Sequence, residues 1–260
     1  MVIVNFSTSI SKLLFFASGS LIPLLGILSI NIYLDPLFFF THSNDENSHI
    51  YAFNERQFKS NHLGNNKQYD AVMIGSSRMT YFNQHEIEGV NAFNYASSAL
   101  KVCEYLAYID YFAKTQGTPK LIILELNPMD FPTDRECERL AKIRPPQKFI
   151  NNAESLQYKM KSLLSLSTID LWKKNRPSDR ANRTYSRDNV ATFPEWNNEQ
   201  KKERIIFQLR RQIGKRNFRN QCSPLTTKAL REIREKYKKT TIVGYASPYL
   251  WHGYNQMMTY

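Results

Sequence analysis

The residues whose types and order could do chemistry are Tyr69 to Arg78, YDAVMIGSSR, where an apolar run ends at Gly75 and turns on Ser76, Ser77 and Arg78. A serine serves as a nucleophile when a strand holds it rigid, a sharp turn exposes its hydroxyl, and backbone N–H groups stand ready to bind an oxyanion. Val72 to Met79 meets these demands in residue type, which makes Ser77 the candidate nucleophile. The competing reading is structural. Gly-Ser-Ser is frequent where a strand gives way to a helix that the serine caps, and the ten residues alone favour that reading.

A serine at its ordinary pKa needs a base. The five histidines are His42, His49, His62, His85 and His252. The first two lie close behind a long apolar segment and His62 lies in a polar stretch, so solvated surface is expected for all three. His85 follows Ser77 by eight residues, on an expected exposed helix, and His252 comes after the last apolar run. The base is therefore unknown. Cys103, Cys137 and Cys222 are too few and too scattered for a zinc site or a disulfide framework, so no metal and no cofactor is expected. One pair could bridge in an oxidising compartment, without its partners being specified.

These residues need a frame. Three apolar runs, YDAVMIG, VNAFNYA and KLIILEL, alternate with polar segments and with an amphipathic stretch in which Val102, Tyr105, Leu106, Ile109 and Phe112 share one helical face. A fourth run, TTIVGYA from Thr240, has the composition of another buried strand. Short buried strands alternating with helices predict an α/β fold, a three-layer αβα sandwich around a mainly parallel sheet. Prolines at 128, 132, 145 and 146 open a polar insertion at about 132–198, with brief helical signals such as Leu156 to Leu164.

Basic helices are expected at about 198–239. Between Lys201 and Lys239 fourteen lysines and arginines face three glutamates, and this stretch supplies +11 of the chain's formal +12. Leu225, Ala229, Ile233 and Tyr237 are spaced by four, which puts most of the charge on the opposite, solvated face.

Leu13 to Leu34 carries no charge over 22 residues, about 33 Å of helix, which suffices to cross a bilayer. Lys12 precedes it, while Asp35, Asp45 and Glu46 follow before the first downstream base at Arg56. That bias predicts a single-pass anchor in the cytoplasmic membrane. Residues 1–12 form the tail, 13–34 the transmembrane helix, 35–66 a juxtamembrane linker with a Phe38-Phe39-Phe40 collar, and 67–260 the extracytoplasmic domain.

The block ending Ile74-Gly75-Ser76-Ser77-Arg78, the later Phe93-Asn94-Tyr95-Ala96-Ser97-Ser98-Ala99, and the strand Leu121 to Leu126 leading into Asn127-Pro128-Met129-Asp130-Phe131 together resemble the SGNH (GDSL-like) hydrolase superfamily. The closest likeness is to its membrane-anchored bacterial branch, which includes proteins acting on D-alanylated teichoic acids and acetylated alginate. The resemblance covers roughly Asp35 to Asp130 and, loosely, Thr240 to His252. It implies Ser77 as nucleophile, with its own N–H facing the oxyanion. It further implies a backbone donor at Ala96 or Ala99, where the family has glycine, and a side-chain donor at Asn127, with Asn94 as the alternative. The family's base comes from a late Asp-x-x-His block, and no such spacing occurs in these 260 residues. Either the chain stops before that block or it keeps the fold without the chemistry. As it stands it is expected to be inactive or nearly so.

The resulting expectation is a membrane-anchored envelope protein for acyl-ester transfer or hydrolysis on a cell-surface polysaccharide. The alternative is a non-catalytic scaffold or binding module. Expected partners are the lipid bilayer and an acidic envelope polysaccharide or a membrane-bound acyltransferase. An outward-facing domain argues against nucleic acid, whose phosphates the basic helices would otherwise suit.

Overall fold

A computed structural model of the chain describes residues 6–51, 54–65, 68–126, 131–175, 184–192, 197–199, 202–203, 206 and 223–246. The sheet is the predicted one. Strands β2 (Ala71–Ile74), β3 (Ala92–Asn94), β4 (Leu121–Glu125) and β7 (Thr241–Tyr245) pair in parallel in the order β3-β2-β4-β7. The chain is thus α/β, with a four-stranded parallel sheet and helices packed on it.

Alternation along the strands separates the two faces. Val72, Ile74, Phe93, Tyr95, Ile122 and Leu124 point to one side, where they pack on α3 (Val102–Gln116) and α8 (Pro224–Lys236). Ala71, Met73, Ala92, Leu121 and Ile123 point to the other, where Met79 and Ile87 from the short turns after β2 meet them. In α3 Val102, Tyr105, Ile109 and Phe112 of the stripe read from the spacing are buried, and its fifth member, Leu106, is half-buried. Of the face expected for α8, Ala229, Ile233 and the C-cap residue Tyr237 are buried and Leu225 is half-buried, while Lys228, Arg231, Arg234 and Lys236 lie opposite, exposed. Ser223 caps this helix, its Oγ accepting from the Thr226 N–H, with Pro224 in the first turn. β7 departs from expectation. Among the described residues it pairs with β4 alone, and its residues are exposed or half-buried, Val243 keeping 44% of its surface.

The stretch 35–66, read as a linker, holds β1 (His49–Tyr51) and α2 (Glu55–Leu63), and every residue of α2 is buried. The Phe38 and Phe39 rings do not form a lipid-facing collar. They turn inward, Phe38 edge-on to Phe58 and Phe39 edge-on to Tyr158, because α2 and the insertion give them apolar partners. The insertion is more ordered than its polarity suggested. It contributes α4 (Asp134–Ile143), α5 (Pro146–Glu154), α6 (Leu156–Leu163) and α7 (Leu166–Asn175). It also contributes the hairpin β5 (Thr184–Ser186) and β6 (Ala191–Thr192), which pairs antiparallel with β1. Cys103 and Cys137 form a disulfide that ties the start of α3 to α4.

Helix α1 runs from Phe6 to Leu34, 29 residues. Its side chains are described from Leu21 onward, and among the described residues no helix is long and apolar enough to cross a membrane.

Candidate functional site

The serine turn sits at the carboxyl end of β2, between β3 and β4. The connection out of β2 goes to one neighbour and the connection out of β3 crosses back to the other. β2 and β4 therefore flank the point where strand order reverses, the crevice in which open parallel sheets bind ligands.

The local geometry follows from register. Ala71 stands opposite Leu121 and Ile74 opposite Leu124, so the next pair along is Gly75 and Glu125, on the same face. A Cβ on Gly75 would come within 2.6 Å of the Glu125 Cβ and of its Oε2. The missing side chain at 75 is what lets the Glu125 carboxylate fold over the strand end. There Glu125 Oε2 accepts the Ser76 N–H at 2.6 Å and the Ser76 hydroxyl at 2.9 Å. Glu125 is fully buried and Ser76 nearly so, so the turn closes around a carboxylate shut away from water. Ser77 follows as a half-buried residue whose carbonyl accepts from the Thr80 hydroxyl at 2.6 Å. Its backbone is thus held on both sides, by Glu125 through Ser76 and by Thr80. Tyr245, opposite Glu125 on β7, has its phenol pushed up first by burial and then by the neighbouring Glu125 charge.

The turn after β3 forms the other wall. The ladder continues past the strand end, with Tyr95 N–H donating to the Met73 carbonyl and Ser97 N–H to the Gly75 carbonyl at 3.0 Å. Its carbonyls are turned inward onto cations. Lys59 donates to the carbonyls of Asn94 (2.9 Å) and Ala96 (2.7 Å), Arg56 to that of Ser98 (3.1 Å) and Arg144 to that of Ala99 (2.6 Å). Lys59 and Arg56 reach the turn from buried helix α2, as does Glu55, which accepts the Ser98 N–H and hydroxyl and the Tyr185 hydroxyl. Arg56 and Arg144 also converge on buried Glu104, at 3.4 and 3.5 Å. Burial and the adjacent Arg56 charge lower the Arg144 pKa.

The residues expected to stabilise an oxyanion separate on this geometry. The Ala96 N–H donates to Asn94 Oδ1 at 3.1 Å, and the Asn94 amide donates to the carbonyls of Met79 and Phe82, both at 3.0 Å. Asn94 is fully buried and stitches β3 to the segment after the serines. Ala99 differs. Its φ of 54° lies in the left-handed region that favours glycine, and its N–H meets no acceptor among the described residues. Asn127 and His252 lie outside the described residues.

Among the histidines, His62 is buried rather than solvated, bonded to the Tyr69 hydroxyl at 3.0 Å and stacked on Phe93. Its polar neighbours in sequence are themselves buried in α2, so local polarity misplaced it. His42 contacts the Tyr33 carbonyl and the Phe40 ring, His49 is exposed beside Ser48, and His85 is exposed in the short turn Gln84–Glu86. No group of three or more histidine, cysteine or acidic side chains able to hold a metal occurs among the described residues. Reading residue types had passed over Glu125, although one signal was present: a single charge inside the apolar run LIILEL. Compared with known proteins, the chain matches no family model, no curated protein and no solved structure.

Proposed function

We propose that the chain is a membrane-anchored, SGNH-like envelope protein in which Ser77 accepts or releases an acyl group carried by a cell-surface polysaccharide. The observation that carries this reading is the serine turn's position at the strand-reversal crevice, locked from beneath by Glu125. A rigid backbone at the nucleophile favours attack because the reacting geometry is set before substrate arrives. Ala99, with a left-handed backbone and an available N–H, is preferred to Ala96 as the second oxyanion donor beside the Ser77 N–H. Asn127 keeps its proposed role as side-chain donor. The base is unassigned.

Two features support the anchor and the outward orientation. Helix α1, 29 residues long, contains the whole uncharged segment Leu13 to Leu34, and Leu21, Ile22, Leu24 and Leu25 on it are exposed apolar side chains. The Cys103–Cys137 disulfide suits an oxidising compartment.

The second reading is an anchored scaffold for an envelope polymer or a partner acyltransferase. It is favoured by the engagement of Ser76, Asn94 and Ala96 within the protein, which a purely structural turn would also show. A fluorophosphonate probe on membranes holding the product of the complete reading frame separates the two. Labelling that disappears in Ser77→Ala supports the enzyme; no labelling of the wild type, with the protein folded and present, leaves the scaffold.

A further inference from the structure

We infer that the α6–α7 corner is a second lipid-contacting element, seated in the headgroup region of the bilayer that holds α1; this rests on the anchor reading above. Three observations point to it. The first is placement. Buried Asn31 of α1 donates from its amide to the Leu163 carbonyl at 2.8 Å and the Ser165 carbonyl at 3.0 Å, pinning the corner between α6 and α7 three residues before α1 ends. Ile30 and Ile32, on either side of Asn31, are exposed. A bilayer that covers them reaches the corner at the same depth.

The second is an exposed apolar surface on the two helices that pack against α1. Leu156, Met160 and Leu163 form an i, i+4, i+7 stripe on α6. Leu163 is buried against Leu37, Phe39 and Leu28, whereas Leu156 and Met160 remain 73% and 41% exposed. Leu166, the residue after the pinned Ser165, is 63% exposed. Such residues on the outside of a protein otherwise able to bury Leu163 of α6 and Thr168 of α7 mark a surface meant for an apolar phase.

The third is what flanks the stripe. Between Leu156 and Lys173 the bases are Lys159, Lys161 and Lys173 and the only acid is Asp170. Lys159 lies over the Phe40 ring at 4.3 Å, and the Trp172 indole donates to the Glu46 carbonyl at 3.2 Å. Lysines beside leucines, with a half-buried tryptophan, match the chemistry of a headgroup layer, where aromatic rings and basic side chains are favoured. The consequence is a domain held at two places on the membrane, which sets the height and tilt of the serine crevice above the lipid.

The test uses the full chain with Cys222→Ser, Cys103 and Cys137 being bridged, reconstituted in phosphatidylcholine–phosphatidylglycerol vesicles. An environment-sensitive fluorophore is attached in turn at Leu25→Cys, Met160→Cys, Leu166→Cys and Lys228→Cys. Labels at 25, 160 and 166 should lose emission to lipids brominated on the acyl chain and resist aqueous iodide, while the label at 228 should behave oppositely. If 25 is quenched by bromolipid but 160 and 166 are as open to iodide as 228, the anchor stands and the second contact is refuted. If 25 also escapes bromolipid, the anchor reading fails and this inference falls with it.

Discussion

The two ends of the same parallel sheet are held together by opposite means. At the amino end, Asp70 accepts the Asn91 N–H at 2.7 Å and pairs with Lys120 at 2.8 Å, while the Lys120 N–H donates to the Asp70 carbonyl. β2, β3 and β4 are thus joined where their side chains meet water, with Lys120 largely exposed. At the carboxyl end the equivalent work is done by Glu125 and Lys59, both fully buried, one gripping the serine turn and the other the turn after β3. A charge in water loses little when its partner is removed, whereas a buried polar group left alone keeps its whole desolvation cost. The contrast teaches where this protein has invested rigidity: at the crevice, on the two turns that flank Ser77.

The sharpest way to break that contrast is Lys59→Ala, which strips the buried donor from the carbonyls of Asn94 and Ala96. We expect a loss of about 3 kcal/mol in denaturant unfolding of the purified protein. Gly75→Ala comes next. A methyl group cannot share space with the Glu125 side chain, so the strand end must shift, at a cost of about 2 kcal/mol in the same measurement. Glu125→Gln is gentler, because its amide oxygen still accepts from Ser76. It should cost about 1 kcal/mol and slow fluorophosphonate labelling of Ser77 more than it lowers the melting temperature. A melting shift with unchanged labelling would assign Glu125 to stability alone.

At the other end, Asp70→Asn should cost less than about 0.5 kcal/mol, and that cost should vanish in high salt. The Asp70 carboxyl is held below its ordinary value of 3.8, first by the Lys120 hydrogen bond and next by the Asn91 N–H. A lowered folded pKa means that the contribution is present above 3.8 and is lost as pH falls through the folded value. The wild type and Asp70→Asn should therefore converge in stability in acid. A difference that persisted there would show that the Asn91 geometry, rather than the charge, carries the effect.

Much of this frame was legible beforehand. The strands announced themselves as apolar runs and the α3 and α8 faces by their spacing, because those periodicities are local properties of the chain. α2 was not legible. ERQFKSNHL reads as solvated polar sequence, yet its polar groups are buried against hydrogen-bond partners supplied by residues up to 130 positions away, such as the Tyr185 hydroxyl that donates to Glu55. The inward turn of Phe38 and Phe39 was hidden for the same reason. β7 misled in the other direction, since composition reports what a strand tolerates, while its exposure follows from its pairing, among the described residues, with β4 alone.

The candidate site divides along the same line. That Gly75-Ser76-Ser77 ends a strand, that an uncharged segment long enough for an anchor precedes it, and that a lone charge interrupts LIILEL were all determined by the order of residues. That Gly75 is empty so that Glu125 can reach Ser76, and that Ala96 is committed to Asn94 while Ala99 is not, was decided only when β3 and β4 came to lie on either side of β2. The reason is physical: a hydrogen bond is set by distance, and register across a parallel sheet brings within 3 Å residues that lie 49 positions apart in the chain.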